Sequence, residues 1–287
     1  MVRRTALVGF LLLALFSSVV AGQVLLLHGW HGASSNWKEC IRVMTSAPYS
    51  IDPQRILSPS LANEASLVDW TVNVAQYIDS LPNDSHLTVI AHSFAGTSVL
   101  FLLVIARHVE EGDLGAWAVG LSNKDKALLP IVTSFLAVSD FDLFARAASK
   151  VKAAFLYHPA LGGGCLACSA CGEVPVPLVC DDAVRDMCLL QTGKEDLFNG
   201  DQMEALVVPV VDIYGTRAWC LGQCFGASDT DGIVSVSDQR LFVSADNYHE
   251  IDGGAVCHID FILNGHHAAE DLVKIVFARK ASLASSQ

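Results

Sequence analysis

Apolar residues in this chain form short continuous runs that alternate with longer stretches of helical periodicity. Short apolar runs bounded by polar or glycine residues are typical of strands that are buried on both faces of a sheet. Runs of this kind predict strands over residues 24–27, 55–57, 87–90, 151–157 and 207–213.

The stretches between these runs predict helices. Leu67, Thr71, Val74, Ile78 and Leu81 recur at helical spacing and come directly before Pro82. Further helices are predicted over residues 37–44 with Asn36 as the N-cap, and over 97–105, 128–138, 143–151 and 264–279. Strands that alternate with helices predict an α/β fold, in which helices cover both faces of a mostly parallel sheet.

Two segments are longer than ordinary connections between elements. They span residues 109–150, which carry the two predicted helices 128–138 and 143–151, and residues 161–204, which open with three glycines. Long insertions near an active face are commonly lids or binding loops. We therefore expect one domain over residues 23–287 with insertions at these two places.

The amino terminus has the pattern of a secretory signal peptide. Arg3 and Arg4 precede an uncharged apolar stretch over residues 5–20, and small residues follow at Ala21 and Gly22. A membrane anchor is the alternative, but the run is shorter than the roughly 20 residues that a spanning helix needs. We expect residues 1–22 to be cleaved and the mature chain to be extracellular or in the lumen of the secretory pathway.

The charge balance argues against a nucleic-acid partner. The 287 residues carry 18 basic and 30 acidic side chains, a formal net charge of −12 that becomes more negative once Arg3 and Arg4 are removed. Such acidity also disfavours electrostatic attraction to anionic lipid headgroups, which leaves transient apolar contact as the route to a lipid surface. The oligomeric state does not follow from the sequence.

Nine cysteines in a chain that enters an oxidising compartment predict disulfides. Five of them lie in the second insertion, namely Cys165, Cys168, Cys171, Cys180 and Cys188, while Cys220 and Cys224 form a second close pair. Paired thiolates at the spacing of Cys165, Cys168 and Cys171 are also common zinc ligands, so a zinc site is the alternative. Residues 83–85 form a glycosylation sequon in a predicted loop.

The segment from Ala91 to Gly96 reads as a nucleophile elbow around Ser93. A strand that turns abruptly into a helix holds the serine in a strained conformation, and only small neighbours let the two backbones approach. Ala91 and Ala95 stand at positions that usually hold glycine. Ser93 is therefore the candidate nucleophile.

A serine hydroxyl needs a base to take its proton, and the base needs a carboxylate to orient it. Asp231 precedes a turn glycine after the strand 207–213 and is the candidate acid, with Asp229 and Asp212 as alternatives. His258 lies in a loop before the last helix and is the candidate base. Its rivals are His249, His266 and His267.

A third requirement is an oxyanion hole made of two backbone N–H groups. One is expected from Phe94, directly after the nucleophile, and the other from Trp30, in the glycine-containing turn that follows the first strand. His28, His31 and His92 are expected to support the walls of the site.

These motifs resemble those of the α/β-hydrolases of the secreted lipase and esterase kind. His28-Gly29-Trp30 resembles the oxyanion loop of that family, residues 91–96 resemble its AHSxGG elbow, and residues 231–234 resemble its DGxV acid turn. The resemblance follows the chain order serine, acid, histidine through nearly the whole mature chain. Ala95, the long segment 109–150 and the cysteine-rich insertion depart from the family pattern.

The resemblance implies an α/β-hydrolase fold with a cysteine-rich cap insertion and a secreted enzyme that cleaves carboxylic esters, either small-molecule or lipid esters, through a Ser93-His258-Asp231 triad and an acyl-enzyme. A thioesterase, amidase or acyltransferase would use the same triad, and a catalytically silent fold that binds a partner is a further alternative. No cofactor or metal is expected. Some secreted lipases bind calcium near the acid loop, but no ligand set here matches such a site.

Overall fold

A computed structural model describes residues 22–61, 65–164, 167–170, 180–216, 233–254, 258 and 266–285. The predicted signal peptide therefore lies outside the described residues, apart from Gly22. In the part of the chain that the structure describes, no helix combines the length and apolar character needed to cross a membrane.

Six parallel strands form one sheet in the order β2-β1-β3-β4-β5-β6. They are β1 (Gln23–Leu27), β2 (Ile56–Leu57), β3 (Leu87–His92), β4 (Val151–Tyr157), β5 (Val210–Tyr214) and β6 (Tyr248–Asp252). The strand order reverses direction at β1. All carboxyl ends lie at one edge, and this is the edge at which open α/β sheets bind ligands.

Eleven α-helices are described. They are α1 (Lys38–Thr45), α2 (Leu67–Asp79), α3 (Phe94–Glu111), α4 (Leu114–Lys124), α5 (Leu129–Leu136), α6 (Asp142–Lys150), α7 (Ala167–Ala170), α8 (Asp182–Leu197), α9 (Gly200–Glu204), α10 (Val236–Gln239) and α11 (His266–Ser285). Short 3₁₀ turns at Ser34–Trp37, Pro53–Arg55 and Lys126–Leu128 complete the described helical structure.

Alternate residues of each strand enter two separate cores. Leu25, Val89 and Leu156 face a cluster that includes α2, α3 and α6, while Leu26 and Phe155 face a cluster formed with α1 and α11. All five side chains are fully buried. Helices thus cover both faces of the sheet, which confirms the predicted α/β fold class and explains why the strands read as continuous apolar runs.

Several elements differ from the sequence-based prediction. The fifth strand begins at Val210 rather than at Val207, because Pro209 has no N–H to donate to a neighbouring strand and Val207 is 77% exposed. Asn36 does not cap α1, because it lies inside a 3₁₀ turn and α1 begins only at Lys38. The helix after the elbow begins at Phe94 and runs to Glu111, well beyond the predicted span.

Within the second insertion, α7 and α8 are joined by a disulfide between Cys168 and Cys188. Cys180 is disulfide-bonded as well. A bridge at Cys168 removes this thiolate from the zinc site that the spacing of Cys165, Cys168 and Cys171 would allow. Cys165, Cys171, Cys220 and Cys224 lie outside the described residues.

A carboxylate attaches the helix α8 to α2. Asp186 is buried, and it accepts a hydrogen bond of 2.7 Å from the backbone N–H of Leu67, the first residue of α2. Such first-turn N–H groups have no acceptor within their own helix. Burial raises the pKa of Asp186 to about 6, because desolvation outweighs the stabilising bond from Leu67.

Candidate active site

The sharp turn between β3 and α3 presents Ser93 at the carboxyl edge of the sheet. Ser93 has φ 56° and ψ −129°, a conformation that a non-glycine residue adopts only under strain. Its backbone N–H donates to the carbonyl of Tyr157 in β4 over 3.0 Å, and its own carbonyl accepts from Gly96 over 2.9 Å. The turn is therefore fixed from both sides.

Small side chains around Ser93 allow this turn to form. Ala91 and Ala95 are fully buried, and a Cβ added to Gly96 would lie 3.0 Å from the Cβ of Pro159. Pro159, the second residue after β4, is thus packed directly against the elbow. Alanine fits at positions 91 and 95, and the spacing leaves little room for anything larger at position 96.

His258 meets the nucleophile candidate directly. Its Nε2 lies 2.8 Å from Oγ of Ser93, and both residues are buried. His92, at the end of β3, donates from Nε2 to the backbone carbonyl of His258 over 2.7 Å and so fixes the position of this segment. A neutral His258 with its proton on Nδ1 can accept the hydroxyl proton of Ser93 at Nε2.

The other candidate bases lie elsewhere. His249 is inside β6, and His266 and His267 are the first two residues of α11. The structure thus brings together Ser93 and His258 among the residues that the sequence singled out for the proton transfer.

Of the three candidate acids, the structure describes only Asp212. Asp231 and Asp229 follow β5 in the sequence and lie outside the described residues. Asp212 lies inside β5, is fully buried and accepts a hydrogen bond of 2.8 Å from the hydroxyl of Tyr248 in β6. Burial raises the pKa of Asp212 well above its usual range. A carboxyl group that is buried in the middle of a strand and bonded to Tyr248 is suited to a structural role rather than to orienting a catalytic histidine.

The loop after β1 approaches Ser93 at backbone distance. A Cβ added to Gly29 would lie 2.7 Å from the Cβ of Ser93, so only glycine permits this approach. The N–H of Gly32 donates to the carbonyl of Gly29 over 2.9 Å, and His31 takes a left-handed conformation with φ 52°. The loop is therefore a tight turn with Trp30 and His31 at its two central positions.

His28 holds this turn in place through two hydrogen bonds. The backbone N–H of Leu61 donates to Nε2 of His28 over 2.9 Å, so the ring proton is on Nδ1, which donates to the carbonyl of Gly29 over 2.9 Å. Burial lowers the pKa of His28, which favours this neutral form. The prediction that His28 supports the wall of the site agrees with this arrangement.

Sequence reasoning missed His158, which directly follows β4. It is fully buried, has φ 48°, and its ring centroid lies 5.9 Å from that of His258 and 4.1 Å from that of Tyr157. The ring of His92 also lies near His258, with centroids 4.7 Å apart, so His258 has two neighbouring imidazole rings. The available signal was the position of a histidine immediately after a predicted buried strand, the same position that Ser93 has after β3.

A group of potential metal ligands lies at the far end of α3. Ligand atoms of His108, Glu111 and Asp113 lie within 4.8 Å of one another. They are engaged with protein partners, since Nδ1 of His108 lies 2.7 Å from Asp113 and Arg107 lies 2.8 Å from Glu111. The group is also separated from Ser93 by most of a helix about 27 Å long, so it belongs to the fold rather than to the site.

The chain is similar to known proteins in its structure. No protein-family model and no curated protein matches the chain. Among solved structures, the mature form of the lipase BlEst2 of Bacillus licheniformis matches with a TM-score of 0.55 at 13% identity, over 91% of each chain. The chain has the α/β-hydrolase fold. The propeptide form of the same lipase matches with a TM-score of 0.53 at 13% identity, and the match covers 91% of this chain and 50% of that longer one.

In an α/β-hydrolase, the strand-to-helix turn carries the nucleophile and an earlier strand-to-helix loop supplies part of the oxyanion hole. In this chain those places are occupied by Ser93 and by the turn around Trp30. At 13% identity the likeness concerns the fold alone.

Proposed function

We propose that this chain is a secreted serine hydrolase that cleaves carboxylic esters, with lipid or other acyl esters as the substrate class. The observation that carries the proposal is the 2.8 Å contact between Oγ of Ser93 and Nε2 of His258, on a backbone turn that is strained and fixed from both sides. A serine that contacts a histidine at hydrogen-bond distance is the arrangement required for an activated nucleophile.

In the proposed reaction, Oγ of Ser93 attacks the ester carbonyl carbon while Nε2 of His258 takes the hydroxyl proton. The carbonyl oxygen becomes an oxyanion, which accepts hydrogen bonds from the N–H groups of Phe94 and Trp30. Phe94 suits this role because it is the first residue of α3, where N–H groups have no intrahelical acceptor. Its position beside the nucleophile places a donor and the positive end of the helix dipole at the reacting carbon.

The oxyanion then collapses and breaks the bond to the alcohol, which leaves with the proton from His258. Water, deprotonated in turn by His258, hydrolyses the acyl-Ser93 ester and releases the carboxylic acid. Asp231 is proposed to orient His258 through Nδ1, as its place after β5 in the sequence suggests.

Secretion is part of this proposal. The signal-peptide pattern of residues 1–22 supports it, and so do the disulfides at Cys168, Cys180 and Cys188, because such bonds persist in oxidising compartments.

The test is hydrolysis of esters of graded acyl length by the purified chain, beside the matching thioesters and amides. We expect turnover of carboxylic esters that falls by at least about a thousandfold in Ser93→Ala, with unchanged folding by circular dichroism. An undiminished rate in Ser93→Ala would contradict the proposal. A strict preference for thioesters would assign the same dyad to a thioesterase, and absence of turnover on every substrate would favour a silent binding protein.

A further inference from the structure

A single carboxylate joins the start of α8 to the turn that follows β1. Asp181 is the N-cap of α8, where its Oδ1 accepts from the backbone N–H of Val184 over 2.9 Å. Its Oδ2 accepts from the indole Nε1–H of Trp30 over 2.7 Å and lies 3.8 Å from Nε2 of His31. One side chain thus serves two elements that are 151 residues apart in the sequence.

The bond from Trp30 acts on the part of the chain that approaches Ser93 most closely. Trp30 follows Gly29, whose backbone leaves no space for a Cβ against Ser93. On the other side, the ring of Trp30 lies against that of His31, with centroids 4.2 Å apart. The indole is therefore held at its N–H by Asp181 and contacts the tilted ring of His31, and its backbone is held by the turn between Gly29 and Gly32.

The strength of this contact follows from its chemistry. A hydrogen bond to an ionised acceptor is shorter and stronger than one between neutral groups, and a distance of 2.7 Å is typical of the charged kind. The Asp181 side chain is only 19% exposed, so water competes weakly for its oxygen. Since the donor is rigidly attached to the ring, fixing Nε1 restricts the rotation of the whole Trp30 side chain and, through it, of the turn.

We propose that Asp181 is a positioning residue that holds the backbone amide of Trp30 where it can bind the oxyanion, so that the seating of α8 on the turn sets the rate of turnover. This inference rests on the proposed hydrolase function. Misplacement of a reacting group by about 1 Å can lower a rate by about a hundredfold. Loss of one oxyanion donor lowers kcat by about 10²–10³.

The first pair of variants separates positioning from helix capping. Asp181→Ser retains a good N-cap for α8 but is too short to reach the indole. Asp181→Asn keeps the size of the side chain but has a single acceptor oxygen, which can serve either Val184 or the indole but not both. We expect Asp181→Ser to lower kcat about tenfold or more with KM within about threefold of wild type, because the effect acts on the transition state. Asp181→Asn should recover only part of that loss, because its single oxygen can accept from the indole only if it gives up the N-cap bond from Val184.

A second variant reaches the same contact from its other end. Trp30→Phe keeps the backbone amide and an aromatic ring but lacks the indole N–H, and it leaves the N-cap of α8 intact. We expect it to lower kcat to a similar extent, and the double variant Trp30→Phe/Asp181→Ser to be no worse than either single one, since both remove the same bond. Asp182→Ser is the matched control, because this neighbouring carboxylate is 61% exposed and pairs with Arg185 instead.

Thermal unfolding and size-exclusion chromatography verify that each variant is folded before its kinetics are compared. The proposal would be overturned by wild-type kcat in both Trp30→Phe and Asp181→Ser, by an increase in kcat, or by additive losses in the double variant. An inactive wild-type chain would overturn the proposed function and this inference together, whereas an active wild type with any of those results overturns the inference alone.

Discussion

Gly29 shows how one residue decides the geometry of the candidate site. The absence of a side chain lets the backbone after β1 lie against Ser93, and an added Cβ would come within 2.7 Å of the Cβ of Ser93 and 3.1 Å of the carbonyl of His92. Both contacts are with groups that the strained elbow holds in place, so the loop would have to move instead.

We therefore expect Gly29→Ala to displace the turn and lower kcat/KM by at least about a hundredfold, because the oxyanion donor moves away from the reacting carbon. Overpacking of this kind also costs about 1–3 kcal/mol of stability. Steady-state kinetics and urea unfolding measure the two effects. Gly115→Ala is the control, since a Cβ there meets open space and should leave kcat/KM unchanged. Equal activity of the two variants would show that the turn does not contribute to the reaction.

At this scale the sequence identifies candidate residues whose local context is distinctive. Ser93 lies between a buried strand and a helix, and His258 lies before the closing helix, so both positions could be predicted and the structure brings them together. Trp30 was predicted from the same local logic. The contact of Asp181 with Trp30 could not be predicted, because it joins positions 151 apart whose neighbourhood depends on how the insertion packs.

Among the elements, α8 is held to the body of the fold by carboxylates at its start. Asp181 contacts the turn after β1, and five residues later Asp186 contacts the N-terminus of α2. Burying the charged carboxylate of Asp186 is costly, because desolvation raises its pKa to about 6 even though the bond from Leu67 opposes this shift. In the folded protein this group keeps its proton to a higher pH than in the unfolded chain, so ionisation between about pH 4 and pH 6 lowers stability.

From this sign we predict that Asp186→Asn stabilises the protein at pH 7 by about 1–3 kcal/mol, because the amide oxygen still accepts from Leu67 without a buried charge. The advantage should shrink as the pH falls through 6 and vanish near pH 4, where the native carboxyl group is neutral. Urea unfolding of both proteins from pH 4 to pH 8 measures it. The exposed Asp182→Asn should show no such pH dependence, and a destabilised Asp186→Asn at pH 7 would refute the assignment.

The elements that the sequence predicted well are those with an unambiguous apolar pattern. The strand over Val151–Tyr157 was predicted at its observed bounds, and the helix from Leu67 ends before Pro82 as expected. The strand β6 was missed because three of its five residues, His249, Glu250 and Asp252, are polar, as an edge strand allows. The helix α8 was missed because its buried face includes Asp186 and Gly193, which interrupt the apolar periodicity of a helix.

In the whole molecule, the insertion contributes to one of the two cores of the sheet, because Ala183, Leu190 and Leu197 of α8 are fully buried in the cluster that contains Leu25 and Val89. The disulfide between Cys168 and Cys188 closes a loop with a sequence separation of 20 residues. In the chain-entropy model, a closed loop of this length stabilises the folded state by about 3 kcal/mol, because it restricts the unfolded chain.

We expect the double variant Cys168→Ala/Cys188→Ala to lose about 2–4 kcal/mol of unfolding free energy relative to the oxidised wild type. Thermal unfolding with and without a reductant tests this directly. The unfolding temperature of the variant should fall less on reduction than that of the wild type, because the variant lacks this bridge and keeps the disulfide at Cys180. Equal unfolding temperatures of the oxidised wild type and the variant would show that this bridge contributes nothing to the stability of the fold.

The most direct test of the central claim, that Ser93 is an activated nucleophile, is covalent labelling by a fluorophosphonate probe with the modified peptide located by mass spectrometry. The account predicts a single label on Ser93 that is absent in Ser93→Ala and slowed by at least about a hundredfold in His258→Ala. A folded protein that is labelled at another serine, or that stays unlabelled both in buffer and with detergent micelles, would contradict it.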